Sequence, residues 1–266
     1  MIARVRRRHF YAAGALAVVA LAAASTKHRP RPPSAPPARG FAFAVLGDAP
    51  YFLWEEAQFR LVLRDIAAHD LAWAVHVGDI FWRPCTDEMY ETALTRLNRL
   101  PLPVVFTPGD NEWTDCWDQN FDPLERLAHD AAARTRTAAA VAWLRETFAE
   151  ARKSGAAAVV LAFHASPELT APADDPYRQA YEPLLATLEA EAVEFGKPVL
   201  LLHGDQHELI VDQPLVDRAT GQRIANVTRL EVPGSPDVGW VRVTATAGPA
   251  PTFSFEARVI DRFKLW

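Results

Sequence analysis

Three Gly-Asp pairs recur at a constant interval, and each closes an apolar run. The runs are FAFAVLGD, LAWAVHVGD and LPVVFTPGD, with glycines at Gly47, Gly78 and Gly109, 31 residues apart. Buried parallel strands read as continuous apolar runs, and about 30 residues is the length of one strand-helix unit. The interval therefore predicts a β-α-β-α-β start with parallel strands. The intervening segments agree. LWEEAQFRLVLRDIAAHD places Leu53, Phe59, Val62, Leu63 and Ile66 at helical spacing. TDEMYETALTRLNRL offers Thr86 as N-cap before an acidic first turn. A fourth pair ends KPVLLLHGD at Asp205, whereas chance in a chain of this composition gives about one Gly-Asp pair.

The rest of the chain extends this pattern. Residues 122–153 are Ala-rich and read as helix, with Gly155 as the stop. AAAVVLAFHAS is a fourth strand ending at His164, and PVLLLHGDQH is a fifth. The helix between them is interrupted or kinked at Pro183. After Glu208 come four short β runs, LIVDQPLV, RIANVTRLEV, GWVRVTAT and TFSFEARVI, separated by turns. These read as an antiparallel meander. The expected fold class is α/β, with two packed mixed sheets flanked by helices. A chain of 266 residues, half of them hydrophobic, suits one such domain.

The N-terminus is of another kind. Arg4, Arg6, Arg7, Arg8 and His9 precede an apolar run from Phe10 to Ala24, and Ala22 and Ala24 fit a small-residue cleavage site. Residues 1–26 therefore read as a signal peptide or an N-terminal anchor. Arg7-Arg8 resembles a twin-arginine signal. Five prolines between residues 30 and 37 make 27–40 an extended linker, which leaves 41–266 as the folded domain. The expected location is outside the cytoplasm, periplasmic or secreted. In that setting the even count of cysteines, Cys85 and Cys116, argues for a disulfide between two loops. Net charge is -5 with no basic face, which disfavours a nucleic-acid partner.

Function in open α/β sheets gathers at the carboxyl ends of strands. The five strand ends here carry Asp48; Asp79; Asp110 with Asn111; His164; and Asp205 with His207. A lone Asp after Gly is an ordinary turn former. Five such ends around one crevice are more specific. Adjacent carboxylates repel and do not all ionise without a compensating charge, which divalent cations supply. A pair of metals can clamp a phosphate and activate water.

The order of these motifs resembles the calcineurin-like metallophosphoesterase superfamily, whose pattern is D-x-H, G-D, G-N-H-E/D, a lone His, and G-H-x-H. Here the motifs read GDAPY, VGDIF, PGDNEW, LAFHAS and HGDQH. Pro50 stands at the first histidine position, Asp110 at the metal-binding Asn, Asn111 at the catalytic His, and Asp205 at the first His of the last motif. Carried over, the resemblance implies two divalent ions (Mn, Fe, Zn or Mg). Asp48, Asp79 and His207 would hold one; Asp79, Asp110, His164 and Asp205 would hold the other. It implies an αββα sandwich and hydrolysis of a phosphate monoester or diester by a metal-bridging hydroxide. Asn111, an amide, cannot act as an acid but can donate to a phosphoryl oxygen. Glu112 and His203 are the remaining candidates for proton transfer. A non-catalytic member binding metal or a phosphorylated ligand is the alternative, motivated by the substitutions at Pro50 and Asn111.

Other classes have little support. No G-x-S-x-G or Walker loop occurs, and PGSPD around Ser235 reads as a turn. The expected partner is a small or phosphorylated substrate, with no stable protein partner implied. Trp54, Trp82, Trp113 and Trp117 either form an aromatic rim or pack in their loops.

Overall fold

The computed structural model describes residues 17–20, 40–82, 85–112, 123–246, 248 and 251–260. In chain order its elements are β1 (Ala17–Ala20), β2 (Phe41–Leu46), α1 (Glu55–Ala67), β3 (Ala74–His76), α2 (Asp87–Leu97) and β4 (Val104–Phe106). There follow α3 (Pro123–Ser154), β5 (Val159–Ala162), α4 (Pro176–Ala180), α5 (Glu182–Phe195) and β6 (Val199–His203). The chain ends in β7 (Ile210–Asp212), β8 (Val227–Glu231), β9 (Gly239–Thr246) and β10 (Thr252–Val259). Most of the signal-like segment and linker lie outside the described residues, as do Trp113, Cys116 and Trp117.

Among the described residues the strands form two five-stranded mixed sheets. One has the order β10-β9-β2-β3-β4, the other β1-β5-β6-β8-β7. The parallel trio β2-β3-β4 is the repeat read from the 31-residue interval. The second sheet has its own parallel trio, β5-β6-β8.

Period-two alternation along each strand builds three apolar layers. Phe43, Val45, Val75, Val160, Leu200, Leu202, Leu230, Val241 and Val243 pack between the sheets. Ala44 and Leu46 turn the other way, onto Phe59, Val62 and Ile66 of α1 and Leu97 of α2. Val159, Leu161, Val199 and Leu201 cover the outer face of the second sheet, against Leu144 and Phe148 of α3 and Leu185 and Leu188 of α5. The result is helix, sheet, sheet, helix: two mixed sheets flanked by helices, the architecture the metallophosphoesterase resemblance implies.

Local signals behave as expected. Thr86 caps α2 by accepting from the Met89 N–H at 3.3 Å. Pro183 lies in the first turn of α5, so it starts a second helix after α4 rather than kinking one. The Ala-rich segment is a single helix that ends before Gly155, whose φ is 69°.

The meander expectation needs correction. β7 and β8 pair antiparallel, and so do β9 and β10, but β8 lies parallel beside β6 while β9 joins β2 in the other sheet. Leu230 and Val232 on one side, Val241 and Val243 on the other, all face the layer between the sheets. The chain therefore crosses that layer after β8 instead of folding back beside it.

Candidate metal centre

The five predicted strand ends meet, and they come from both sheets. β2, β3 and β4 bring Asp48, Asp79 and Asp110. β5 and β6 bring His164 and Asp205 to the same end of the sandwich. Hydrogen bonds tie the loops together within each sheet, and one from the Asp205 N–H to the Asp48 carboxylate joins the two sheets. Asp48 N–H donates to the Gly78 carbonyl at 3.1 Å, Gly204 N–H to the His164 carbonyl at 3.1 Å, and Asp205 N–H to Asp48 Oδ1 at 2.9 Å.

The glycines serve close approach more than turning. A methyl group at Gly109 would lie 2.0 Å from Asp79 Oδ1, and one at Gly204 would lie 2.0 Å from Asp48 Oδ2. Each glycine thus vacates the space its neighbour's carboxylate fills. The left-handed turn falls on the acids themselves, with φ of 52° at Asp48, 56° at Asp79 and 82° at Asp205. Non-glycine residues held there are strained by about 1–3 kcal/mol each, a cost met at functional sites.

Two groups of side chains could each hold a cation. Asp48, Asp79 and His164 form one; Asp110, His164 and Asp205 form the other. In each, one ligand atom per residue lies within 4.8 Å of the rest. His164 belongs to both. Its Nδ1 lies 3.0 Å from the Val77 carbonyl, so Nδ1 donates and Nε2 is turned to the acids. Nε2 lies 2.9 Å from Asp110 Oδ1 and 3.4 Å from Asp79 Oδ1.

His207 has the same kind of anchor, with Nδ1 2.7 Å from the Ser235 carbonyl. Its Nε2 is 3.7 Å from Asp48 Oδ1 but falls in neither group. Instead it faces Tyr51, whose Oη is 3.2 Å away and donates to Asp79 Oδ2 at 2.7 Å. A phenol thus stands between two residues expected to share one cation, next to Pro50, where the family pattern has histidine.

Electrostatics favour a cation here. Asp48 is fully buried, and its Oδ2 has no hydrogen-bond partner among the described residues. Burial raises the Asp48 and Asp79 carboxyls above their ordinary range, with His164 opposing the rise in both. At Asp79, Asp110 adds to it. Burial works against charge on His164, but the bond to Asp110 and the fields of Asp79 and Asp48 prevail and hold its pKa up to about 10. Protons bound by this set supply positive charge that a divalent ion would supply better. The orphaned oxygen, the anchored imidazole and the hard oxygen donors fit a divalent cation such as Mn or Mg.

The three residues expected to move protons are placed differently. Glu112 is a clamp: Oε2 accepts from the Gly109 and Asp79 N–H groups at 2.7 and 2.8 Å, and Oε1 from Ile80 N–H at 2.8 Å. Asn111 acts through its backbone, donating N–H to Asp79 Oδ1 at 3.0 Å, and its side chain is buried. His203 is turned away from the cluster. Its ring stacks on Phe163, its Nδ1 faces the Gly204 carbonyl, and burial pushes its pKa down to about 4.

Sequence reasoning passed over Tyr51 and Glu55, and read the Ser235 segment as a turn without a part in the site. Glu55 is fully buried, accepts from Tyr51 N–H at 2.7 Å and from Ser235 Oγ at 2.6 Å. Ser235 in turn donates its N–H to the Asp48 carbonyl. The available signals were a hydroxyl-bearing aromatic directly after Pro50 and an acid in the first turn of α1. Of the expected aromatic rim, Trp54 stacks on Phe52 and is 62% exposed, and Trp82 packs against Tyr51. Cys85 Sγ sits 3.2 Å from the Asn111 carbonyl oxygen, on the same rim.

No family model and no curated protein matches this chain. Among solved structures it is similar to Vacuolar Protein Sorting 29 from Cryptosporidium parvum, with 12% identity over 84% of this chain and 100% of that one, TM-score 0.35. A single mutant of Vps29 from Entamoeba histolytica gives 12% identity over 83% and 99%, TM-score 0.36. PhoD gives 11% identity over 84% and 72%, TM-score 0.46. At these scores the description of the fold rests on its own strand order and layers.

Proposed function

We propose that this chain is a metal-dependent phosphoesterase acting on a phosphate monoester or diester outside the cytoplasm. The observation that carries the reading is the convergence of Asp48, Asp79, Asp110, His164 and Asp205, with a buried carboxylate oxygen left without a partner. Asp48, Asp79 and His164 would hold one divalent ion; Asp110 and Asp205 would complete the second position. Bound cations there supply Lewis acidity, neutralising phosphate charge and making water a better nucleophile at neutral pH. The chain's own residues do the rest. Glu112 holds the Asp79 and Gly109 backbones in register. The Tyr51 hydroxyl, which donates to Asp79 Oδ2, is the proton-bearing group beside Asp79, and the proton for the departing ester oxygen is assigned to it.

Export by the N-terminal 26 residues and a Cys85–Cys116 bond belong to the same proposal. A second reading has a specific observation behind it. Tyr51 occupies the space between Asp79 and His207, which suits a member that binds one ion or a phosphorylated ligand without turnover.

The deciding experiment uses the full chain loaded with Mn. Metal content is measured first, then hydrolysis of aryl phosphate monoesters and diesters. Asp79→Ala is expected to cut both bound metal and turnover by about a hundredfold or more, since it removes a ligand and the Tyr51 acceptor. Stoichiometric metal without turnover selects the binding reading. A metal-free, inactive protein, or turnover that survives Asp79→Ala, overturns the site.

A further inference from the structure

Beside the cluster is a cavity of about 280 Å³ that the chemistry above does not use. Asp110 and His164 form part of its wall, so it opens directly onto the second ligand group. Its other walls are mostly apolar: Phe163 from the end of β5, Ala140 from α3 and Leu184 from α5. Arg136, Thr137 and Tyr181 are its polar contributions beyond the cluster. The Tyr181 hydroxyl is held protonated by burial and by the nearby Asp205 and Asp110 carboxylates, which places it at the acidic end.

We infer that this pocket receives the organic group of the phosphoester, and that the group is compact and apolar: one aromatic ring or a short branched chain. This rests on the phosphoesterase reading and specifies its substrate class. The size argument is direct. At about 280 Å³ the cavity lies at the small end of ligand sites, which usually span about 300–1,000 Å³, and this suits a compact group. The chemistry agrees. A sugar would bring several hydroxyls against Phe163, Ala140 and Leu184, where they would lose their water without replacement. A ring or branched chain gains from the same contacts. The phosphate, held at Asp110 and His164 through the cations, would leave its ester oxygen pointing to the apolar end, with Arg136 offsetting part of the local negative charge.

Filling the pocket tests this. Ala140→Phe and Thr137→Trp project bulk from the α3 wall, and two variants guard against one that folds poorly. The full-length Mn-loaded protein is assayed with phenyl phosphate and methyl phosphate, and binding of phenylphosphonate and methylphosphonate is measured by calorimetry. The phenyl-over-methyl selectivity, in kcat/KM and in binding, is expected to fall at least ~10-fold in either variant, the scale of losing an apolar group's pocket. Equal effects on both ligands, or none, overturn the pocket assignment. Absence of turnover in the unaltered protein defeats the phosphoesterase reading alone. The phosphonate pair then still decides the pocket, by a selective or an unselective loss of binding.

Discussion

Glu112 shows how much one side chain can hold when its work is structural. Three buried N–H groups from two loops converge on its two oxygens. Leaving a buried donor unmatched costs about 1–3 kcal/mol each. Glu112→Ala is therefore expected to lower unfolding free energy by at least ~3 kcal/mol in a denaturant titration, and a loss under ~1 kcal/mol would contradict the clamp. The same residue shows where reading a sequence runs out. That an acid follows Asp110-Asn111 was plain, but whether it points at substrate or at backbone depends on the loop after β3, which no local pattern encodes. Tyr51 is a parallel case. Its place three residues after Asp48 was visible, yet only the fold brings it within 3.2 Å of His207, 156 residues further on.

At the scale of elements, the Gly-Asp ends of the strands act as interlocking seats. Gly109→Ala and Gly204→Ala each put a methyl group 2.0 Å from a carboxylate oxygen of another strand end. Neither backbone needs a left-handed glycine, since neither φ is positive. The expected result is at least a tenfold loss of Mn affinity by calorimetry with far-ultraviolet circular dichroism unchanged; unaltered affinity would remove the seating argument. The strands and helices themselves were largely legible. Unbroken apolar runs such as VVLA and VLLLH announce strands buried on both faces, and Thr86 marks a helix start by local chemistry; Pro183 reads as an interruption or kink, and the structure resolves it as the start of a second helix. The destinations of β8 and β9 were not. Their alternation says that one face is buried, and both sheets offer the same apolar layer to bury it.

For the whole molecule, stability should depend on pH through buried groups outside the two ligand groups. Glu231, on β8, is buried, and burial raises its pKa to about 7 from the ordinary 4.5, with Arg229 opposing. A raised folded-state pKa gives stability that is full below about 4.5 and lost as pH rises through about 7. His76 and His203 run the other way: burial lowers them to about 3 and about 4. Their contribution is complete above the ordinary 6.5 and lost as pH falls through the folded values. Glu231→Gln should therefore gain about 1–3 kcal/mol over the unaltered chain at pH 8 and nothing at pH 4.5. A gain that does not change with pH would refute this account.

The division of the candidate centre between two sheets has a mechanical side. Asp48, Asp79 and Asp110 ride on one sheet, His164 and Asp205 on the other, and the layer between them is apolar. An ion gripped from both sides would rivet them. Under a pulling force that shears one sheet past the other, the loaded protein should yield in one abrupt event. The chelated protein should give way at lower force, with the two sheets parting before either unravels.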